Sequence, residues 1–137
     1  DDASVILRAK IITEMKKPIP GLAVSVHSGG AQNDRNVSVV VAQAADELLT
    51  MNDIHVSAVL NESDDGVSIS ARSDGSVNVQ TMMEELGGGG HQTVAGVQIK
   101  GAKAEDLIPK IIEMAKEQMK ESDSDEGNSA EGRKEVG

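Results

Sequence analysis

The spacing of apolar residues along the chain switches between two periods, and the switches divide it into elements. Val5, Ile6, Leu7, Ala9, Ile11, Ile12 and Met15 recur at helical spacing, which predicts a helix over Asp1–Lys17, closed by Pro18, Pro20 and Gly21. Their apolar coverage is wider than one buried stripe requires. Either both sides of this helix are buried, or one side meets something outside this domain. Leu22–His27 reads as a strand, Ser28–Asn36 as a polar loop, and Val37–Val41 as a β-branched run leading into a helix over Ala42–Met51. Within that helix Ala42, Ala45, Leu48 and Leu49 share a stripe.

Further along, His55–Leu60 predicts a strand, Asn61–Gly66 a turn, and Val67–Ser73 a strand pairing antiparallel with the one before it. Alternation puts Val67, Ile69 and Ala71 on one face and Ser68, Ser70 and Arg72 on the other. Ser76 or Asn78 can cap a helix that ends at Leu86 and carries Val79, Met82, Met83 and Leu86 on one side. A strand over Thr93–Lys100 follows. The last helix, Glu105–Met119, has Leu107, Ile108, Ile111, Ile112, Ala115 and Met119 as its core face, and Pro109 must lie in its first turn or kink it. This order predicts a mixed α/β fold of the α+β kind, a small, partly antiparallel sheet with helices packed on it. The expected organisation is a leading helix at 1–20, a domain at 21–120 and an acidic tail at 121–137, which should be disordered for want of apolar residues.

Composition narrows the chemistry. The chain has 137 residues, no Phe, Tyr or Trp, no Cys, and a formal net charge of −10. Without aromatics it cannot stack bases as single-strand binders do, and its acidity argues against a broad nucleic-acid surface. No cysteine means no disulfide and no thiol chemistry, which fits the cytosol. No apolar run approaches the length of a membrane span, and no signal peptide is visible. His27, His55 and His91 are far apart with no paired spacing, so no metal site is expected, and no serine-nucleophile motif or P-loop is present.

One run stands apart: Gly87-Gly88-Gly89-Gly90-His91. Four glycines are costly to order, and glycine lets backbone N–H groups approach an anion closely. The run follows a helix C-terminus, whose dipole disfavours anions. A phosphate here must therefore be held by the loop amides, by His91 and by Arg72, whose guanidinium can grip it through two hydrogen bonds. The plainer alternatives are a helix C-cap for the glycines and, for Arg72, a surface ion pair with Asp74 or Glu84.

Ile69-Ser70-Ala71-Arg72-Ser73, Val77-Asn78-Val79-Gln80 and Leu86-Gly87-Gly88-Gly89-Gly90-His91 together resemble the DHH-associated domain, the C-terminal substrate-binding half of DHH phosphoesterases. Ala42-Gln43-Ala44-Ala45-Asp46-Glu47-Leu48-Leu49-Thr50-Met51 is most similar to the branch that hydrolyses cyclic di-AMP, although Val94 and Gly96 stand where that branch tends to have Asn and Ala. The resemblance implies that Arg72, Gly88, Gly89, Gly90 and His91 bind substrate, cyclic di-AMP or its linear product pApA. It implies a catalytic DHH domain in the same parent chain, holding manganese that activates water, and a parent enzyme anchored to the cell membrane with this domain in the cytoplasm. The chain itself contains no Asp-His-His motif. It is expected to hold no catalytic residue, metal or cofactor, to touch no membrane directly and to hydrolyse nothing alone. Two alternatives remain: the same domain of an oligonucleotide exonuclease of nanoRNase or RecJ type, or a ligand-free interaction module that forms a homodimer through its first helix.

Overall fold

The computed structural model describes residues 1–29 and 34–136, the side chains of 122–136 excepted. The elements, in order, are α1 (Asp2–Thr13), β1 (Lys16–Ile19), β2 (Leu22–Ser28), α2 (Arg35–Leu49), β3 (Val56–Ser63), β4 (Gly66–Ser73), α3 (Val79–Glu85), β5 (Gly89–Gly90), β6 (Val94–Lys100) and α4 (Ala104–Val136). The strands form one six-stranded sheet in the order β1-β2-β3-β4-β6-β5. Only β2 and β3 are parallel, and α2 supplies the crossover between them. The remaining neighbours are antiparallel. The expected mixed α/β fold is therefore the observed one.

Each face of the sheet carries its own core. On one, Val56, Ala58 and Leu60 of β3 and Val67, Ile69 and Ala71 of β4 pack with Met82 and Met83 of α3 and Leu107, Ile111 and Ala115 of α4. On the other, Ala23 and Val59 pack under Val40, Val41, Ala44, Ala45 and Leu48 of α2 and Ile11 of α1. The buried Ser57 and Ser25 hydroxyls donate to the Ala45 and Ile11 carbonyls at 2.7 and 2.6 Å, tying the sheet to the helices above it.

Four details depart from the sequence expectation. α1 ends at Thr13, and Lys16–Ile19 forms an edge strand instead of a last helical turn. Pro18 biases Lys17 toward extended backbone, and a strand at the sheet edge tolerates its missing N–H. α2 begins at Arg35, because Asp34 caps it by accepting from the Asn36 and Val37 amides. Its β-branched run is helical because Val40 and Val41 are buried there. The turn after β3 shortens to Asp64–Asp65, so Asn61 lies within the strand. Pro109 sits at the sixth position of α4, beyond the first turn, leaving the carbonyl of exposed Glu105 without its helical partner.

α1 is buried on one side only. Ile11 is sealed, whereas Val5 and Ile6 are 54% and 68% exposed. α4 runs past the predicted end at Met119 to Val136, through the segment expected as a tail at 121–137, of which only the Glu121 side chain is described.

Candidate functional site

The site is assembled by the register of four strands. Ser57 of β3 lies opposite Arg72 of β4, and Arg72 opposite Val94 of β6. The His91 amide donates to the Val94 carbonyl at 2.7 Å, which brings the end of the glycine run alongside. The next row on the same face joins Ser70, Gly96 and Gly89, and the row beyond it pairs Ser68 with Gln98. At a strand spacing of about 4.8 Å, Arg72 and His91 stand roughly 10 Å apart. Arg72 and the glycine loop, separated by a helix in sequence, thus share one surface.

A cleft of 490 Å³ opens beside this surface, lined by Ser38 and Val41 of α2, Ser68, Ile69 and Ser70 of β4, Gly88, and Gly96, Val97 and Gln98 of β6; of the predicted site residues Gly88 lines it, whereas Arg72, Gly89, Gly90 and His91 do not. Its floor carries little side-chain bulk where Gly88 lies against Gly96. A larger cleft of 760 Å³ lies at the opposite end of β4, but Glu62, Asp64, Asp65 and Glu105 line it, and that acidity repels phosphate.

Three amides of the run expected to cradle a phosphate are used within the fold. The Gly87 and Gly88 amides donate to the Glu84 and Met83 carbonyls, at 3.0 and 2.7 Å, and the His91 amide is spent on Val94. Those donors are committed to the fold, and the missing side chains let the run lie close against β6. A Cβ on Gly88 would overlap the Gly96 carbonyl oxygen, and one on Gly90 would press on the Val94 carbonyl and Ala95. A Cβ on Gly89 would meet nothing within 4 Å. Gly87 adopts φ 94°, the left-handed position after α3.

Arg72 is only 12% exposed at its side chain and pairs with Asp46 of α2, not with Asp74 or Glu84. Its Nε donates to Asp46 Oδ1 at 2.8 Å and its Nη1 to the Ala71 carbonyl at 2.9 Å. His91 is exposed. Sequence reading missed Gln98 and Gly96, although the two-residue period of β6 puts both on the face of Val94. It also missed Asp46 as the partner of Arg72.

His55, just before β3, and Asp74, just after β4, lie at the same end of these strands as Arg72. His55 Nδ1 donates to Asp74 Oδ2 at 2.6 Å. Burial works to raise the Asp74 pKa, but hydrogen bonds from the Ser76 hydroxyl, His55 and the Ser76 amide, with the attraction of His55, together hold it below its ordinary value. Among the described residues no group of three or more His, Asp or Glu side chains is placed to hold a metal ion. None of their helices is long and apolar enough to cross a membrane.

The fold is thus a six-stranded mixed sheet with a core on each face, and the cleft over β4 and β6 lies on the face covered by α2. The chain belongs to the DHHA1 domain family, which matches residues 21–121. It is 44% identical over 98 residues to the cyclic-di-AMP phosphodiesterase GdpP of Geobacillus thermodenitrificans, a match covering 71% of this chain and 14% of that protein. It is 37% identical over 106 residues to the cyclic-di-AMP phosphodiesterase PdeA of Listeria monocytogenes, covering 77% of this chain and 16% of that one. The chain thus corresponds to a small part of these relatives. Among solved structures, an exopolyphosphatase-related protein from Bacteroides fragilis shares the fold at TM-score 0.76 and 16% identity, over 90% of this chain and 37% of that one.

Proposed function

We propose that this chain is the substrate-holding domain of a cyclic-di-AMP phosphodiesterase, binding the phosphate and nucleotide of cyclic di-AMP or pApA. The observation that carries this reading is the shared surface of Arg72 and the glycine loop, with a cleft alongside, in a chain that is 44% identical over 98 residues to part of such an enzyme. Arg72 grips phosphate, His91 adds a donor from across β6, Gly89 leaves space for a ligand, and Gly88 and Gly90 let the loop lie close against β6 beside it. On this reading the manganese and the hydrolytic step belong to a separate DHH domain of the parent protein, with any membrane anchor also outside this chain and this domain facing the cytoplasm. Val5 and Ile6, exposed on α1, offer that domain an apolar face.

The test is a two-dimensional NMR titration of the chain with cyclic di-AMP, pApA and inorganic phosphate. It is joined by reconstitution with the catalytic part of the protein and manganese. Shifts centred on Arg72 and residues 88–91 with pApA, and loss of reconstituted activity in Arg72→Ala and His91→Ala, are expected. Folded variants with undiminished activity would overturn the reading. A second reading, an oligoribonuclease domain, draws on 28% identity over 116 residues to the bifunctional oligoribonuclease and PAP phosphatase NrnA of Thermus thermophilus. Reconstituted activity that prefers short oligonucleotides over cyclic di-AMP in direct competition would favour it.

A further inference from the structure

We infer that Asp46 is a positioning residue that presets Arg72 for an incoming phosphate, an assignment that rests on the functional reading above. Asp46 projects from α2 with its side chain 63% exposed, while that of Arg72 is 12% exposed. A guanidinium has five N–H donors in a fixed plane. Here Nε–H is held by Asp46 at 2.8 Å and one Nη1–H by the Ala71 carbonyl at 2.9 Å. Two points of attachment fix a planar group in both position and tilt. The Nε side of the fork is occupied by Asp46, and the end-on edge, formed by the other Nη1–H and Nη2, has no hydrogen-bond partner among the described residues. A phosphate can take two parallel hydrogen bonds from that edge.

The pair could also act in the opposite sense. Asp46 is an anion beside the proposed anion site, and by charge alone it competes with phosphate. The two roles predict opposite signs. If orientation dominates, Asp46→Ala frees Nε, lets the fork rotate, and weakens binding. If charge competition dominates, the same change strengthens binding. Asp46→Asn separates them, because its amide oxygen still accepts from Nε while the charge is gone.

The experiment measures pApA and inorganic phosphate binding by NMR titration of the whole chain, in wild type, Asp46→Ala, Asp46→Asn and Arg72→Ala. Each variant is checked by thermal melting, and the Arg72 Nε–Hε cross-peak is followed as a direct report on the fork. The expected result is about a tenfold loss of pApA affinity in Asp46→Ala, on the scale of one charge-assisted hydrogen bond, with most of it recovered in Asp46→Asn. The cross-peak is expected to be resolved in the wild type and in Asp46→Asn and lost to exchange in Asp46→Ala. Asp46→Ser, too short to reach Nε, carries the same expectation should the alanine variant fail to fold. Tighter or unchanged binding in Asp46→Ala, with Arg72→Ala still impaired, would overturn the inference and leave the functional reading standing. No binding by the wild type, or unimpaired binding by Arg72→Ala, would bring down both.

Discussion

Gly88 lies so close against Gly96 that a Cβ on the first would overlap the carbonyl oxygen of the second, whereas neighbouring Gly89 faces open space. The two glycines are adjacent in the chain and opposite in kind. Gly88→Ala must push the loop away from β6, and overpacking of this sort costs about 1–3 kcal/mol. Gly89→Ala fits without displacement, so its melting temperature should stay within about 2 °C of wild type, as for a benign surface change. The methyl of Gly89→Ala does, however, rise from the row that holds Ser70 and Gly96, and pApA affinity should fall. Thermal melting and ligand titration of both variants separate the two roles. Equal melting temperatures would refute the steric distinction.

Asn61 is fully buried on β3, between His27 of β2 and Ser68 of β4, and its amide nitrogen and oxygen find no partner. An unpaired buried polar group costs about 1–3 kcal/mol. Asn61→Leu, similar in volume, should therefore stabilise the domain by about 1 kcal/mol, raising the melting temperature by a few degrees. A lower melting temperature would show that the amide is satisfied in solution.

Ser57 is a contrasting case on the same strand and face. Its hydroxyl is buried but spent on the Ala45 carbonyl of α2 at 2.7 Å. Ser57→Ala should cost about 1 kcal/mol, the net worth of one such bond. Since Arg72 lies opposite Ser57 and Asp46 follows Ala45, the same change should also weaken the Asp46–Arg72 contact. Urea denaturation and the Arg72 Nε–Hε cross-peak read the two effects. A stability loss with the cross-peak unmoved would show that α2 holds its place without this bond.

The period of β4 already showed that Arg72 shares a face with Ser68 and Ser70 and opposes Val67, Ile69 and Ala71, because alternation is local to the strand. The glycine run with His91 was equally plain, as a motif. What those glycines do was not, since donors to Met83 and Val94 belong to tertiary geometry. β1 and β5 escaped notice for different reasons. β1 is a mostly exposed edge strand containing Pro18, and β5 is two glycines with no side chains to form a pattern. The start of α2 was misplaced because β-branched valines favour strands locally, and only the Asp34 cap and the burial of Val40 and Val41 decide for helix. The partner of Arg72 lies 26 residues away on another element, a distance no local pattern spans.

Asp74 links stability to pH. The hydrogen bonds from Ser76 and His55, and the attraction of His55, outweigh burial and hold its folded pKa below the ordinary 3.8. A depressed carboxyl contributes stability that is fully present above its unfolded pKa and is lost as pH falls through the folded value. At pH 6 Asp74→Asn should therefore be less stable than wild type. The difference should be under about 1 kcal/mol, because the group is partly exposed and screened by solvent. It should close progressively as pH drops below 3.8. Melting curves of both proteins between neutral pH and the acid limit of folding measure this directly. A gap that persists unchanged in acid would mean that Asp74 acts through the shape of the turn around Ser76, with no part played by its charge.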